Sequence, residues 1–210
     1  MPKLDDLNRI LKGRLVAVIR AASGEQLVDV AAALLAGGVE AMEVTFTVPA
    51  AHRVLERVAE KLGDRILLGA GTVLDPETAR IAILSGARFI VSPGTNVDTI
   101  RLCRRYDVLA LPGAFTPTEV LTAWEAGADI VKIFPAEVGG PAYFKALAGP
   151  LPQVRLMPTG GVTLDTAAAF LKAGACALGV GSQLVDPQAI AARDFAKLES
   201  LARAFVEQVK

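Results

Sequence analysis

The sequence contains few of the residues on which disulfide-bonded, metal-binding and nucleic-acid-binding proteins depend. It has two cysteines, Cys103 and Cys176, and one histidine, His52, among 210 residues. These numbers exclude a disulfide framework, a four-cysteine zinc site and a zinc centre of several imidazoles. With 22 basic and 22 acidic side chains, the chain lacks the excess positive charge that holds nucleic acids or anionic membranes. Any bound anion must therefore be held by a few placed groups.

Long apolar runs are also missing. No stretch of about 18 uninterrupted apolar residues occurs, which predicts no membrane-spanning helix, and the charged segment 1–14 does not resemble a signal peptide. We therefore expect a soluble cytoplasmic protein with no membrane partner. The apolar fraction of 52% excludes a disordered chain. Because one core can grow to roughly 250 residues, residues 1–210 are expected to form a single domain.

Eight short apolar runs recur along the chain, separated by enough residues for a helix and two loops. The runs are continuous, which is typical of parallel strands covered on both faces. They predict an α/β fold, a small single-domain (β/α)8 TIM barrel, with an N-terminal helix at 3–12 across its bottom end and a closing helix at 195–210. The runs are 15–19, 41–46, 65–70, 88–92, 107–112, 129–134, 154–158 and 177–181.

Lys132 interrupts one of these apolar runs. Strand alternation places it on the same face as Ile130 and Phe134. If that face lines the barrel, burial disfavours the charged ammonium and lowers its pKa. A neutral amine attacks ketones, so the expected chemistry is a Schiff base. The alternative is a structural lysine whose stem packs under a helix while its ammonium reaches water.

Glu43 interrupts the second run, where a carboxylate is costly unless it is paired or used. One interpretation is an ion-pair partner of Arg20 or Lys132. The other is a general acid/base whose pKa is tuned by its apolar surroundings. The two are compatible, and we expect Glu43 to be both an ion-pair partner of Lys132 and a proton shuttle. Arg20, which ends the first run, is expected to clamp an acid or to pair with Glu43.

Two glycine-containing loops follow the last two runs and predict an anion site. Gly160 and Gly161 allow backbone N–H groups to converge on an anion, and Thr159 offers a hydroxyl donor. Gly181 and Ser182 form a second such loop one unit later. In barrels of this kind, the loops after strands seven and eight often hold a phosphate.

Five motifs, taken in order, resemble the 2-keto-3-deoxy-6-phosphogluconate (KDPG) aldolases, a family that includes 4-hydroxy-2-oxoglutarate (KHG) aldolases. They are EVTFT (43–47), GAGTV (69–73), SPG (92–94), VKIFPA (131–136) and PTGGV (158–162). The resemblance implies a class I aldolase that needs no metal or other cofactor, and a homotrimer. It implies that Lys132 forms the Schiff base with pyruvate while Glu43 moves protons. It also implies that the pyruvyl end is held by Thr72, Pro93 and Phe134, and the phosphate by Thr159, Gly160, Gly161, Gly181 and Ser182.

One position departs from the family pattern. KDPG-cleaving members carry an arginine where this chain has Thr47, so the pyruvate carboxylate loses a bidentate partner. Arg20 matches another family arginine and is expected to take that role. The expected reaction is cleavage of KDPG to pyruvate and glyceraldehyde 3-phosphate, and of KHG to pyruvate and glyoxylate, with the phosphorylated substrate preferred. Alternatives are a phosphosugar isomerase or epimerase, and a phosphosugar-binding barrel without catalysis.

Overall fold

The computed structural model describes residues 2–210, in which strands and helices alternate. The strands are β1 (Leu15–Ile19), β2 (Ala41–Thr45), β3 (Leu67–Gly71), β4 (Phe89–Val91), β5 (Leu109–Leu111), β6 (Gly113–Ala114), β7 (Val131–Ile133), β8 (Leu156–Pro158) and β9 (Leu178–Val180). The α-helices are α1 (Pro2–Gly13), α2 (Leu27–Ala36), α3 (Ala51–Leu62), α4 (Pro76–Leu84), α5 (Val97–Arg105), α6 (Pro117–Ala126), α7 (Gly140–Ala148), α8 (Leu164–Lys172), α9 (Pro187–Ala192) and α10 (Phe195–Gln208). Short 3-10 turns cover Gly63–Arg65 and Ala136–Val138.

The strands form two parallel sheets, which confirms the predicted α/β class. Six strands pair in the order β5-β4-β3-β2-β1-β9, and three pair in the order β6-β7-β8. The single eight-stranded sheet expected from the sequence is therefore not what the strand pairing shows. The predicted run 107–112 contains β5 and ends at Pro112, which has no N–H group to donate and separates β5 from β6. At the other junction, one parallel bridge joins Thr159 to Gly179.

Alternate strand residues face two different hydrophobic layers. One set packs against the helices that surround the sheets, and it includes Met42, Val131 and Ile133. The other set forms an inner cluster under the curled sheets. Its strand and near-strand members include Val16, Ala41, Leu67, Phe89, Leu109, Ile130, Met157 and Ala177. Glu43 and Lys132 share strand faces with inner-cluster residues, since each lies two positions after one of them.

Helix α1 closes the inner cluster from one end, as predicted for the N-terminal helix. Its apolar residues Leu7 and Ile10 join that cluster. Its polar residues pair with groups that immediately precede strands. The ammonium of Lys3 lies 3.0 Å from the carboxylate of Asp129, and buried Asp6 accepts hydrogen bonds from Arg88. The end at which the strands begin is therefore held by ion pairs.

Helices α4 and α6 begin where the sequence places a capping residue before proline. The Asp75 side chain accepts a hydrogen bond from the Thr78 N–H at 2.6 Å, with Pro76 at the first helical position. Thr116 and Glu119 form a reciprocal capping box at the start of α6. Among the helices of residues 2–210, none is long and apolar enough to cross a membrane.

Candidate active site

A cavity of about 520 Å³ opens at the end of the sheets opposite α1. Most of its lining residues lie within strands or in the loops that follow them, where parallel strands present their carboxyl ends. All eleven residues singled out from the sequence line this one cavity. They are Arg20, Glu43, Thr72, Pro93, Lys132, Phe134, Thr159, Gly160, Gly161, Gly181 and Ser182.

Lys132 is buried at the centre of this site, with 6% of its surface exposed. It lies in β7 beside Gly113 of β6 and Met157 of β8. Its Nζ atom lies 4.8 Å from the centre of the Phe134 ring, a cation–π distance. Burial lowers the pKa of Lys132; Glu43 opposes this effect, while Arg20 adds to it. The arrangement favours a neutral amine, which is the nucleophilic form.

Glu43 is almost completely enclosed, with 1% of its surface exposed. Burial raises its pKa, although the charges of Lys132 and Arg20 oppose the shift. Its Oε2 atom has no hydrogen-bond partner. In the part of the chain that the structure describes, the ion pairs within 4.0 Å do not include Glu43 with Lys132 or Arg20. The predicted ion pair of Glu43 with Lys132 is therefore not formed within this distance, although each charge acts on the pKa of the other group.

The two loops predicted to bind an anion lie side by side at the cavity wall. Gly160 and Gly161 have φ angles of 90° and 71°, in the left-handed region that favours glycine. The loop leads into α8, whose N-terminus is capped by Thr163 and carries a partial positive charge. The buried Oγ1 atom of Thr159 has no partner. These groups provide donors where an anionic ligand could be held.

Comparison with known proteins identifies the family. A sequence model described as KDPG and KHG aldolase matches residues 7–201. The chain belongs to the KDPG and KHG aldolase family. It is 39% identical to the 2-dehydro-3-deoxy-phosphogluconate aldolase of Treponema pallidum over 191 residues, which are 90% of each protein. It is 35% identical to the KHG/KDPG aldolase of Escherichia coli (strain K12) over 94% of this chain and 93% of that protein.

A solved structure of the same family is also similar over nearly the whole chain. It is the KDPG aldolase from Legionella pneumophila with pyruvate captured at low pH as a covalent carbinolamine intermediate. The two proteins are 30% identical, the TM-score is 0.87, and the match covers 97% of each chain. Similarity at this level extends the family assignment from sequence motifs to the arrangement of helices and strands.

Several cavity residues of this KDPG and KHG aldolase family member were not predicted from the sequence. Glu137 is the most consequential, because its carboxylate lies beside the glycine loop. A Cβ atom built on Gly161 would lie 2.4 Å from the Cβ atom of Glu137 and 3.3 Å from its Oε2 atom. Its position four residues after β7 was the available signal. Gln183, which follows Ser182, also lines the cavity.

Thr47, which replaces the arginine expected in the family, does not line the cavity. It is exposed, and its hydroxyl lies 2.8 Å from that of buried Thr45. Arg20 does line the cavity, together with Lys132. Of these two positions, Arg20 is therefore the one that lies at the cavity.

The two cysteines take no part in this site. Cys103 and Cys176 are both free thiols, and burial raises the pKa of each to about 12. A thiol with such a pKa stays protonated and is a poor nucleophile near neutral pH. Within residues 2–210, no group of three or more His, Cys, Asp or Glu side chains could hold a metal ion.

Proposed function

We propose that this protein is a class I aldolase that cleaves KDPG to pyruvate and glyceraldehyde 3-phosphate, and KHG to pyruvate and glyoxylate. The observation that carries the proposal is the enclosure of Lys132 and Glu43 in one cavity. Burial shifts both pKa values towards neutrality, Lys132 downwards and Glu43 upwards. Opposite shifts of this kind suit a nucleophilic amine and a general acid/base.

The proposed reaction begins when the neutral amine of Lys132 attacks the C2 ketone. Glu43 passes protons, through a water, while the carbinolamine loses water to form an iminium ion. The iminium accepts the electron pair of the C3–C4 bond as Glu43 removes the proton of the C4 hydroxyl, and an aldehyde leaves. The resulting enamine is protonated at C3, and hydrolysis releases pyruvate and Lys132. The carbinolamine of pyruvate in the Legionella pneumophila relative supports this sequence.

The two ends of the substrate are proposed to bind to different parts of the cavity. The carboxylate contacts Arg20, and the pyruvyl group lies against Thr72, Pro93 and Phe134. The phosphate is held by the loops that contain Thr159, Gly160, Gly161, Gly181 and Ser182. All these residues line one cavity, and the glycine backbone conformations favour anion binding. We therefore propose that the phosphorylated substrate has the higher kcat/KM, which a direct comparison of the two substrates will test.

Reductive trapping tests the Schiff base directly. Borohydride added with pyruvate should convert an imine on Lys132 to a stable secondary amine that peptide mass spectrometry locates. Lys132→Met should abolish both the adduct and turnover. Lys145→Met is the matched control, because Lys145 is exposed on α7 and outside the cavity. Turnover that survives Lys132→Met would favour an isomerase or epimerase using Glu43 alone. Tight binding without turnover by the unaltered protein would favour a non-catalytic phosphosugar-binding protein.

We also propose that residues 1–210 form one domain in which the two sheets close into a (β/α)8 barrel. The Lys132 N–H donates a hydrogen bond to the Pro112 carbonyl at 2.9 Å, and the Ser92 N–H to the Leu111 carbonyl at 3.4 Å. The segment that contains Pro112 thus bonds to both sheets. Slow hydrogen exchange at both amides would support closure, and rapid exchange at either would contradict it.

The resemblance to the family leads us to propose a cytoplasmic homotrimer. Apolar side chains left exposed on and before α4 support self-association. Leu74, Ile81 and Leu84 are 59%, 47% and 69% exposed, and the last two lie three residues apart on one helix face. Light scattering should give three times the mass of the chain, and a monomer at micromolar concentration would refute the proposal. Leu84→Glu should weaken assembly if this surface is the contact.

A further inference from the structure

Gly71 lies against the carboxylate of Glu43 on the neighbouring strand. In the register of β2 and β3, Gly69 pairs with Glu43 and Gly71 pairs with Thr45. A Cβ atom built on Gly71 would lie 2.5 Å from Oε1 and 2.7 Å from Cδ of Glu43. Both distances are shorter than real Cβ contacts, so any side chain at this position would displace the carboxylate.

Position 71 requires glycine because the Glu43 carboxylate leaves no space for a side chain. Gly71 ends the extended strand β3, a conformation that residues with side chains adopt readily. Among the glycines of residues 2–210, Gly71 is the one at which an added Cβ atom would meet Glu43. The three atoms nearest to that Cβ position all belong to the Glu43 carboxylate. The side chain that a substitution would add therefore has one main neighbour, which is the proposed general acid/base.

Glu43 has little freedom to avoid such a contact. Its strand is paired with β1 on one side and with β3 on the other, and the carboxylate is enclosed. The open direction is into the cavity, where the charged groups that act on it are Lys132 from β7 and Arg20 after β1. A displaced carboxylate would lose burial and approach two cations.

We propose that Gly71 is a positioning residue whose missing side chain holds the Glu43 carboxylate where it exchanges protons with the substrate. This inference rests on the proposed aldolase function, in which Glu43 moves protons and Lys132 forms the imine. The Gly71 position lies against the Glu43 carboxylate but does not line the cavity in which the substrate is proposed to bind. Its effect should therefore appear in the rates of the steps in which Glu43 transfers a proton, while the Lys132 amine keeps the ability to form the pyruvate adduct.

The variant Gly71→Ala tests the proposal. A misplacement of about 1 Å can reduce a rate by about 10²-fold, so kcat should fall by that order while KM changes little. The acidic limb of the kcat/KM profile should move to lower pH, because a carboxylate nearer the cations and less buried is more easily ionised. Borohydride should still trap pyruvate on Lys132 at saturating pyruvate and long incubation. If the unaltered enzyme formed no such adduct, the result would instead refute the aldolase function itself.

Two glycine variants provide matched controls. Gly69→Ala adds a methyl group on the same strand, but the three atoms nearest to its Cβ all belong to the Phe89 ring. It should lower thermal stability and leave the pH profile in place. Gly13→Ala adds a methyl group with no atom within 4 Å, and it should leave the pH profile in place without lowering thermal stability. A shift of the pH profile by Gly69→Ala equal to that by Gly71→Ala would overturn the proposal.

A double variant separates crowding of Glu43 from other damage. Glu43→Asp withdraws the carboxylate by one methylene and makes room for the methyl group that Gly71→Ala adds. In Glu43→Asp/Gly71→Ala, the loss of kcat should therefore be smaller than the product of the two single losses. Multiplicative losses, or unchanged kcat in Gly71→Ala, would contradict the role. If Gly71→Ala does not fold, the double variant should fold, and its failure to do so would also contradict it.

Discussion

Replacing Glu43 by glutamine distinguishes a catalytic role of the Glu43 carboxylate from a role in stabilising the fold. Glutamine has nearly the same shape, so the change removes the charge and leaves the packing in place. Loss of general acid/base catalysis typically costs 10²–10⁴-fold, and we expect kcat to fall by about that factor. If Glu43 is instead a structural ion-pair partner, the main effect will be on stability.

The structure predicts the direction of the stability change. The Oε2 atom of Glu43 is buried without a partner, and burial raises its pKa above the ordinary value of 4.5. As the pH rises through 4.5, the unfolded chain releases this proton before the folded protein does. The unfolded state then binds fewer protons, so the free energy of unfolding decreases until the pH passes the folded-state pKa. Because a glutamine side chain does not titrate, Glu43→Gln does not undergo this decrease in the free energy of unfolding.

The melting temperature of Glu43→Gln relative to the unaltered protein should therefore increase with pH above 4.5. In a chain of this size, 1 kcal/mol corresponds to roughly 2–4 °C. Relief of the buried charge outweighs the loss of attraction to Lys132, because burial is the larger influence on the Glu43 pKa. At neutral pH we expect a variant that is no less stable and up to a few degrees more stable.

Calorimetry from about pH 4 to pH 8, with kcat measured on the same samples, checks both effects. Glu125→Gln is the control, because Glu125 is exposed on α6 and should alter neither quantity. A fall of several degrees at neutral pH, with activity largely kept, would refute the reasoning. Such a result would mean that the Glu43 carboxylate stabilises the fold through its attraction to the cations.

Three further substitutions have distinct expected results. Arg20→Ala should raise KM for both keto acids by about 10-fold or more, and it should move the ionisation of Lys132 to higher pH, because Arg20 lowers that pKa; an unchanged KM would exclude a carboxylate contact. Ser182→Ala should lower kcat/KM for the phosphorylated substrate by a factor that corresponds to a free energy on the order of 1 kcal/mol, and it should leave kcat/KM for KHG unchanged. Equal effects on the two substrates would exclude a phosphate contact. Asp6→Ala removes the buried partner of Arg88 and should lower the free energy of unfolding in urea by about 1–3 kcal/mol, while the folded protein keeps its kcat.

Strand periodicity predicted the face on which Lys132 lies. Ile130 and Ala41 belong to the inner cluster, so the residues two positions later, Lys132 and Glu43, face the same region. That inference needs only the alternation of side chains along a strand. The glycine loops were predicted from their own residues as an anion site, and the family resemblance added Pro93 and Phe134.

Other features depend on geometry that the sequence does not encode locally. Glu43 lies in β2 of one sheet and Lys132 in β7 of the other, so a pattern within one strand does not predict how close their side chains come. The short strand β6 has only Gly113 and Ala114, too few residues for an apolar pattern. Glu137 is an exposed residue in a turn after β7. No sequence pattern indicates that such a residue contacts the glycine loop.

The ion-paired helix α1 and the cavity occupy opposite ends of the same strands. Residues that precede strands, such as Arg88 and Asp129, anchor α1, whereas those that follow strands line the cavity. Selectivity can consequently be redesigned with limited thermodynamic penalty. Libraries confined to the connections after strands should yield many folded proteins with altered ligand preference. Equivalent diversity in the connections before strands should mainly yield proteins that unfold at lower temperature.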